Sequence, residues 1–314
     1  TEPYSYEMAA SSGPGSAGEF KAFFEALIRK GFVWPSETGT DKEYILPGMM
    51  VGWFEVYLSD GAETPEKREF ARRIDKMLKS YARLNIFPTR GLINHRVKKA
   101  VPFQSILAPG SALAHGKGHT IRVDKRLDAE PAKIYPAKTV EELIEKQGDG
   151  NTIAVVHCFC RQYRKMIDRP CRFDHPPQSC IAVGALGRYA VEHGVGRFIS
   201  KTEAISLLHE MQDKGAVHQV FHKNEDFNNP ELAICNCCWD CCGVFGSYNR
   251  GILPLNLRCY YEARLPDSAL CTGCGTCVDF CPVLAIRMVE DKCAIDPATC
   301  IGCGQCQIHC PVEA

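Results

Sequence analysis

Eight cysteines in the last 44 residues constrain this chain more than any other feature, because they form one pattern written twice. Cys271, Cys274, Cys277 and Cys281-Pro282 are followed by Cys300, Cys303, Cys306 and Cys310-Pro311, and each copy reads C-x2-C-x2-C-x3-C-P. The offset from 271 to 300 equals that from 281 to 310, 29 residues, which marks a duplicated half. Gly273, Gly275, Gly302 and Gly304 stand between the cysteines, where a missing Cβ lets the backbone come close to a bound group. Each proline closes its copy with a fixed φ. Soft thiolates at this density select an iron–sulfur cluster or zinc. C-x2-C pairs also suit tetrahedral zinc, but three cysteines at x2 spacing plus C-P favour iron–sulfur.

The remaining composition bounds the rest. The 314 residues allow two or three domains, with 45% hydrophobic and 24% charged residues, as in an ordinary globular protein. Formal net charge is zero, so there is no global electrostatic case for binding nucleic acid. None of the nineteen cysteines precedes Cys158, and they cluster as C-x2-C and C-C rather than spreading as a disulfide framework. This reads as a reducing compartment: a cytoplasmic protein, free or peripheral to a membrane complex, in an anaerobe. Residues 1–18 lack a charged start and apolar stretch, and no run reaches the length of a membrane span. The chain starts without Met and stops just after the second C-P, so neither end is taken as a natural terminus.

Along the chain, residues 1–18 read as a flexible polar segment. Residues 19–30 predict an amphipathic helix with Phe20, Phe23, Phe24, Leu27 and Ile28 at helical spacing, ended by Gly31. Two short apolar runs, 32–34 and 44–46, predict a hairpin, and a long helix is expected from Pro65 to Asn85. Residues 91–138 read as an irregular covering segment, inside a connection running to 150. Thr139-Val140-Glu141-Glu142 and Ser200-Lys201-Thr202-Glu203 are capping boxes that open helices. A buried strand is expected over 151–156, a helix over 180–193 and a strand over 216–222.

Nine further cysteines lie between 158 and 242. Cys158, Cys160, Cys171 and Cys180 form one group; Cys235, Cys237, Cys238, Cys241 and Cys242 form the other, in C-N-C-C-W-D-C-C-G. Each group follows a strand-like run, so one end of a small domain could present both. They are candidate ligands of one or two further iron–sulfur clusters, with structural zinc as the alternative. Nine thiols exceed the need of one cubane. Arg161, Arg164, Lys165, Arg169 and Arg172 would offset the charge of such a cluster or form a solvated face. Cys293 reads as a small buried apolar residue, and His157 and His309, which adjoin cluster cysteines, as ordinary packed or solvent-facing histidines, with a ligand role as the alternative.

The stretch from Ala269 to Ala314 resembles a bacterial-type two-cluster ferredoxin. That resemblance implies two [4Fe-4S] clusters, with the fourth cysteine of each copy ligating the cluster of the other half. The implied sets are Cys271, Cys274, Cys277 and Cys310 for one cluster, and Cys300, Cys303, Cys306 and Cys281 for the second. On H-C-F-C-R and I-C-N-C-C-W-D-C-C-G, residues 20–314 are similar to multi-cluster iron–sulfur proteins of anaerobic bacteria and archaea. Residues 19–90 weakly resemble a winged-helix domain. The expected architecture is α+β: a winged-helix-like domain at 19–90, a connection at 91–150, a cysteine-rich α/β middle domain at 151–262 and a ferredoxin-like domain at 263–314.

The expected role is an electron-transfer subunit serving a flavin-, molybdenum- or tungsten-containing oxidoreductase, with no catalytic residue of its own. Two other roles stand beside it: a redox-sensing DNA-binding regulator, and an oxidoreductase acting at an unusual cluster in the middle domain. The expected helix over 65–85 is only mildly basic, which is too little for a DNA reader.

Overall fold

A computed structural model describes residues 4–5, 17–35, 43–45, 54–84, 104–106, 139–148, 151–222, 231–250, 257–259 and 261–314. Most of the flexible segment at 1–18 and of the covering segment at 91–138 lies outside the described residues.

The N-terminal part begins with β1 (Tyr4–Ser5), α1 (Ala17–Arg29), β2 (Trp34–Pro35), β3 (Glu43–Ile45), α2 (Phe54–Leu58) and α3 (Pro65–Leu84). β3 lies between β1 and β2, antiparallel to both, so the expected hairpin gains a third strand. In α1, Phe24 and Ile28 are buried, but Phe23 turns 60% of its surface outward. Several basic residues of α3 are drawn into local ion pairs. Lys67 pairs with Asp60, Arg68 with Glu63 at 2.6 Å, Arg73 with Glu69 at 3.0 Å and Lys79 with Asp75 at 2.5 Å.

The middle part contains β4 (Gln104–Ile106), α4 (Val140–Glu145), β5 (Ile153–His157), α5 (Phe159–Met166), β6 (Gln178–Val183), α6 (Gly184–Glu192), β7 (Gly196–Phe198), α7 (Lys201–Asp213), β8 (Val217–His222), β9 (Glu231–Cys237), α8 (Phe245–Asn249) and β10 (Leu257–Cys259). Its sheet runs β10-β4-β8-β9-β6-β5-β7. β10 and β4 are parallel, and the five strands from β8 to β7 are antiparallel throughout. The middle is thus antiparallel sheet with helices packed on it, α+β rather than the α/β expected.

Helices α4 and α7 cover this sheet through Val140, Leu143, Ile144 and Leu208, packed on Ile181 and Ile234. Thr139 closes a full capping box: its hydroxyl accepts from the Glu142 amide at 3.2 Å, and Glu142 accepts from the Thr139 amide at 3.3 Å. Ser200 completes only half of one. It accepts from the Glu203 amide at 3.1 Å, while the Glu203 carboxylate turns to Arg197 at 2.6 Å.

The helix expected over 180–193 begins four residues late. Cys180 to Val183 belong to β6, paired with β5 throughout and with β9 at Ile181 and Ala182, because this short apolar run fills the sheet interior as readily as a helix face. The turn into α6 falls at Gly184, whose φ of 60° favours glycine.

The last part holds α9 (Thr276–Asp279), the antiparallel pair β11 (Ile286–Val289) and β12 (Lys292–Ile295), and α10 (Gln305–Ile308). It is fastened to the middle sheet by two amides. The fully buried Gln305 donates Nε2–H to the Ala216 carbonyl at 2.8 Å, and Asn249 donates to the Pro282 carbonyl at 2.9 Å. None of the helices among the described residues is long and apolar enough to cross a membrane.

Candidate metal centres

The two ends of the duplicated motif occupy matched places. Gly275 and Gly304, each with φ of 79°, open the short helices α9 and α10, which carry Cys277 and Cys306. Cys281, Cys300, Cys303 and Cys306 line one small pocket, with Val283, Ile286 and Ile301 in the same wall. Backbone amides point at the sulfurs: Gly302 and Ala263 at Cys300, both at 3.4 Å, and Ala285 at Cys281 at 3.2 Å. Such N–H···S contacts stabilise thiolate charge. Gly302 has a φ of 61°, and a Cβ there would overlap the Tyr261 carbonyl, so the loop tolerates only glycine. A soft-ligand cavity ringed by four cysteines and fed by amides fits an iron–sulfur cubane.

In the other half, Cys271, Cys274 and Cys277 share one loop region, and Ala314 donates to Cys310 Sγ at 3.3 Å. Cys293, read from sequence as a small packed residue, stands within hydrogen-bonding reach of both Cys271 and Cys277. Burial, then the neighbouring charges of Cys277 and Cys271, push its thiol up to about 12. The side chain of Cys259 lies outside the described residues. His309 stacks on Phe280 at 3.6 Å between ring centres, and His157 packs over Gly61, whose φ is 77° and whose Cβ would overlap the imidazole.

The nine middle cysteines gather at one end of the sheet. β5 and β9 both run antiparallel to β6, so their C-terminal ends meet there beside the start of β6. That places Cys158 and Cys160 just beyond β5, Cys180 in β6, Cys235 and Cys237 in β9, and Cys242 in the turn before α8.

Six of these thiols stand in a run in which each shifts the titration of the next, in the order Cys158, Cys180, Cys235, Cys237, Cys242, Cys160. The other three stand apart from that run: Cys171 Sγ lies 3.3 Å from Cys238 Sγ, which lies 3.2 Å from Cys241 Sγ. Each set contains acidified thiols flanked by two donors. Cys180 and Cys237 draw Cys235 down to about 6, and Cys171 and Cys241 draw Cys238 down to about 3. Cys242, between Cys160 and Cys237, is also drawn well down. It accepts further from Val244 N–H at 3.3 Å and from the fully buried Gln219 amide at 3.6 Å.

Arg161 stands between the two sets. Burial alone would lower its pKa, but the thiolates of Cys158, Cys241, Cys180 and Cys238 hold it above the usual arginine range. Its guanidinium donates to Pro176 O at 2.7 Å and Ser179 Oγ at 2.6 Å. Of the other basic residues read beside the cysteines, Lys165 turns to Glu63 at 2.5 Å and Arg172 to Asp240 at 3.3 Å.

Three residues that the sequence reading passed over belong to this region. His175 is 6% exposed, follows Cys171 by four positions and has neither ring nitrogen satisfied among the described residues; C-x3-H was the available signal. Burial, then Arg161, bring its pKa down to about 4. Asp240 ties the Cys171 segment to the Cys238–Cys241 turn, and Gln219 reaches Cys242 from β8; neither has a local sequence signature.

The apolar core beneath the ferredoxin-like part is shared with the middle thiols. Val217, Phe245, Cys237 and Cys242 pack in one cluster with Cys281, Ile286 and Ile301, flanked by Cys235, Cys277, Cys300, Cys303 and Cys306. Residues 265–311 match the family described as a 4Fe-4S dicluster domain. No curated relative and no solved structure matches the chain. The chain therefore carries a dicluster iron–sulfur domain, two 4Fe-4S clusters by its family, together with a cysteine-rich middle region able to bind metal.

Proposed function

We propose that this chain is an electron-transfer subunit in which the dicluster domain exchanges electrons with a third iron–sulfur centre on the six-thiol run of the middle domain. The supporting observation is the shared core: Cys237 and Cys242 pack in the same apolar cluster as Cys281, beside Cys300, Cys303 and Cys306. Centres held on both sides of one packed core are close, and the medium between them is dry. Clusters bound at these cysteines would supply one-electron chemistry. The residues fix their spacing and tune the thiolates: amide donors at Cys281, Cys300 and Cys242, and Arg161 beside the middle thiols.

Within this reading Cys271, Cys274, Cys277 and Cys310 hold one cubane, and Cys300, Cys303, Cys306 and Cys281 the other. The cavity that the last four line supports the second set. Cys158, Cys160, Cys180, Cys235, Cys237 and Cys242 hold the middle centre. The N-terminal helices, winged-helix-like in their order, serve as a docking surface for a partner oxidoreductase with a flavin, molybdenum or tungsten centre. The ion-paired basic side chains of α3 favour protein docking over reading DNA.

Cys303→Ala in the anoxically purified full chain tests the relay. Iron and acid-labile sulfide should each fall by about four per chain, and electrons from a one-electron donor should reach the middle centre much more slowly. Unchanged iron content would sink the ligand assignment; unchanged reduction of the middle centre would sink the relay.

A further inference from the structure

The nine middle thiols are not one site. Among the described residues, Cys171, Cys238 and Cys241 are the one trio of metal-ligating side chains whose donor atoms all lie within 4.8 Å of one another. The eight dicluster cysteines, all described, contain no trio that tight. That difference has a geometric meaning. A tetrahedral ion with metal–sulfur bonds of about 2.3 Å holds its sulfurs about 3.8 Å apart. In a cubane each thiolate binds a different iron at a different corner, so the sulfurs point away from one another and stand farther apart. The trio follows the first pattern.

Three thiolates leave a tetrahedral ion one ligand short, and His175 stands four residues beyond Cys171. It is 6% exposed and neither ring nitrogen has a partner among the described residues. A buried imidazole with both nitrogens unmet is costly unless something else satisfies them. Its ring packs on Phe173, and Phe173 packs on Trp239, beside Cys238, each at 5.6 Å between ring centres. Phe173 thus packs between His175 and the turn that bears the other two thiols. Asp240 clamps the same two segments by accepting from the Arg172 amide at 3.0 Å.

The geometry points to a single tetrahedral zinc ion held by the tight trio Cys171, Cys238 and Cys241 and closed by His175, whose ring nitrogens lie outside that 4.8 Å group and must turn in on binding, a site separate from every iron–sulfur cluster of the chain. Three thiolates and one imidazole form a closed structural zinc set, and such an ion stabilises the fold it cross-links. Here it joins the segment after α5 to the turn after β9, bracing the wall beside Arg161 and the six-thiol run. The inference does not depend on the electron-transfer reading, since it rests on the trio and the histidine alone.

The test is elemental analysis of the anoxically purified full chain with zinc-edge X-ray absorption, on the native protein and on Cys171→Ser and His175→Gln. The expected result is about one zinc per chain, with three sulfurs near 2.3 Å and one nitrogen near 2.0–2.1 Å. Cys171→Ser should lose that zinc and keep its acid-labile sulfide. His175→Gln should keep the three sulfurs and lose the imidazole signal, with zinc more readily stripped by a chelator. Loss of about four irons and their sulfide from Cys171→Ser would assign the trio to a cubane and overturn the proposal. A single sulfide-free iron at the site would overturn zinc, and an unchanged spectrum in His175→Gln would overturn the histidine. The native spectrum decides the ligand set even if a variant fails to fold.

Discussion

Asp240 receives Arg172 twice, through the backbone amide at 3.0 Å and the guanidinium at 3.3 Å, and so draws Cys171 to the turn that carries Cys238 and Cys241. The two bonds differ in weight. The Arg172 side chain is 65% exposed, so its ion pair contributes at most about 1 kcal/mol. The amide bond reaches a carboxylate only 12% exposed, and hydrogen bonds to charged groups contribute about 1.5–3 kcal/mol. Arg172→Ala should therefore be mild even though it also removes the cation from over the Trp239 ring. Asp240→Ala should cost about 1.5–3 kcal/mol in chemical denaturation and loosen metal retention at the trio. Equal effects from the two substitutions would place the clamp in the side-chain pair instead.

Gln305 is the joint between the dicluster domain and the middle sheet. Its Nε2 donates to Ala216 O at 2.8 Å, and its Oε1 meets His309 Nε2 at 3.1 Å. Gln305→Ala leaves a buried carbonyl unmet, a cost of about 1–3 kcal/mol. All eight motif cysteines remain, so cluster content should hold while the denaturation midpoint falls. Protease nicking between 250 and 262 should also quicken. A variant as stable as the parent would show that the apolar core alone fastens the domains.

The dicluster motif was legible because its ligands are local: seven residues hold three cysteines, and a repeat of 29 residues supplies the rest. The middle grouping was not legible, because sheet pairing makes it. Cys180 meets Cys235 only because β6 lies beside β9, and Cys171 meets Cys238 across 67 residues through an aspartate with no motif of its own. Both strand runs that deliver these cysteines were readable from their apolar residues; that sheet pairing brings both groups to one end was not. The helix expected from Cys180 failed for a physical reason. C-I-A-V is too short for its periodicity to separate strand from helix, and only the flanking Gly184 marks the boundary.

Cys293 lies within reach of Cys271 and Cys277 yet belongs to neither copy of the motif. With Cys310 as the fourth ligand, Cys293→Ala should leave iron and sulfide unchanged, whereas Cys271→Ala should remove about four of each. Iron loss in Cys293→Ala equal to that in Cys271→Ala would move the fourth ligand from Cys310 to Cys293.

His218 gives the middle sheet a dependence on pH. It is 1% exposed, and its Nδ1 lies 2.6 Å from Asn236 Oδ1; because Asn236 Nδ2 donates to Ser179 O at 2.7 Å, that oxygen is the acceptor and Nδ1 carries the proton. Nε2 is therefore bare, without a partner among the described residues, and a second proton there would charge a buried ring. Burial accordingly holds the His218 pKa below its usual value, against the opposing hydrogen bond that Nδ1–H donates to Asn236 and the charge of Glu141. The unfolded chain takes up this proton near pH 6.5 and the folded chain only at lower pH. The stabilisation is thus whole above about pH 6.5 and declines as pH falls toward the folded value, by about 1.4 kcal/mol for every tenfold difference in proton affinity between the unfolded and folded chains. His218→Gln, compared with the parent at equal cluster content between pH 7.5 and 5.5, should show a shallower loss of stability on acidification. Parallel pH profiles for the two proteins would mean that His218 takes up its proton as readily in the folded sheet as in the unfolded chain.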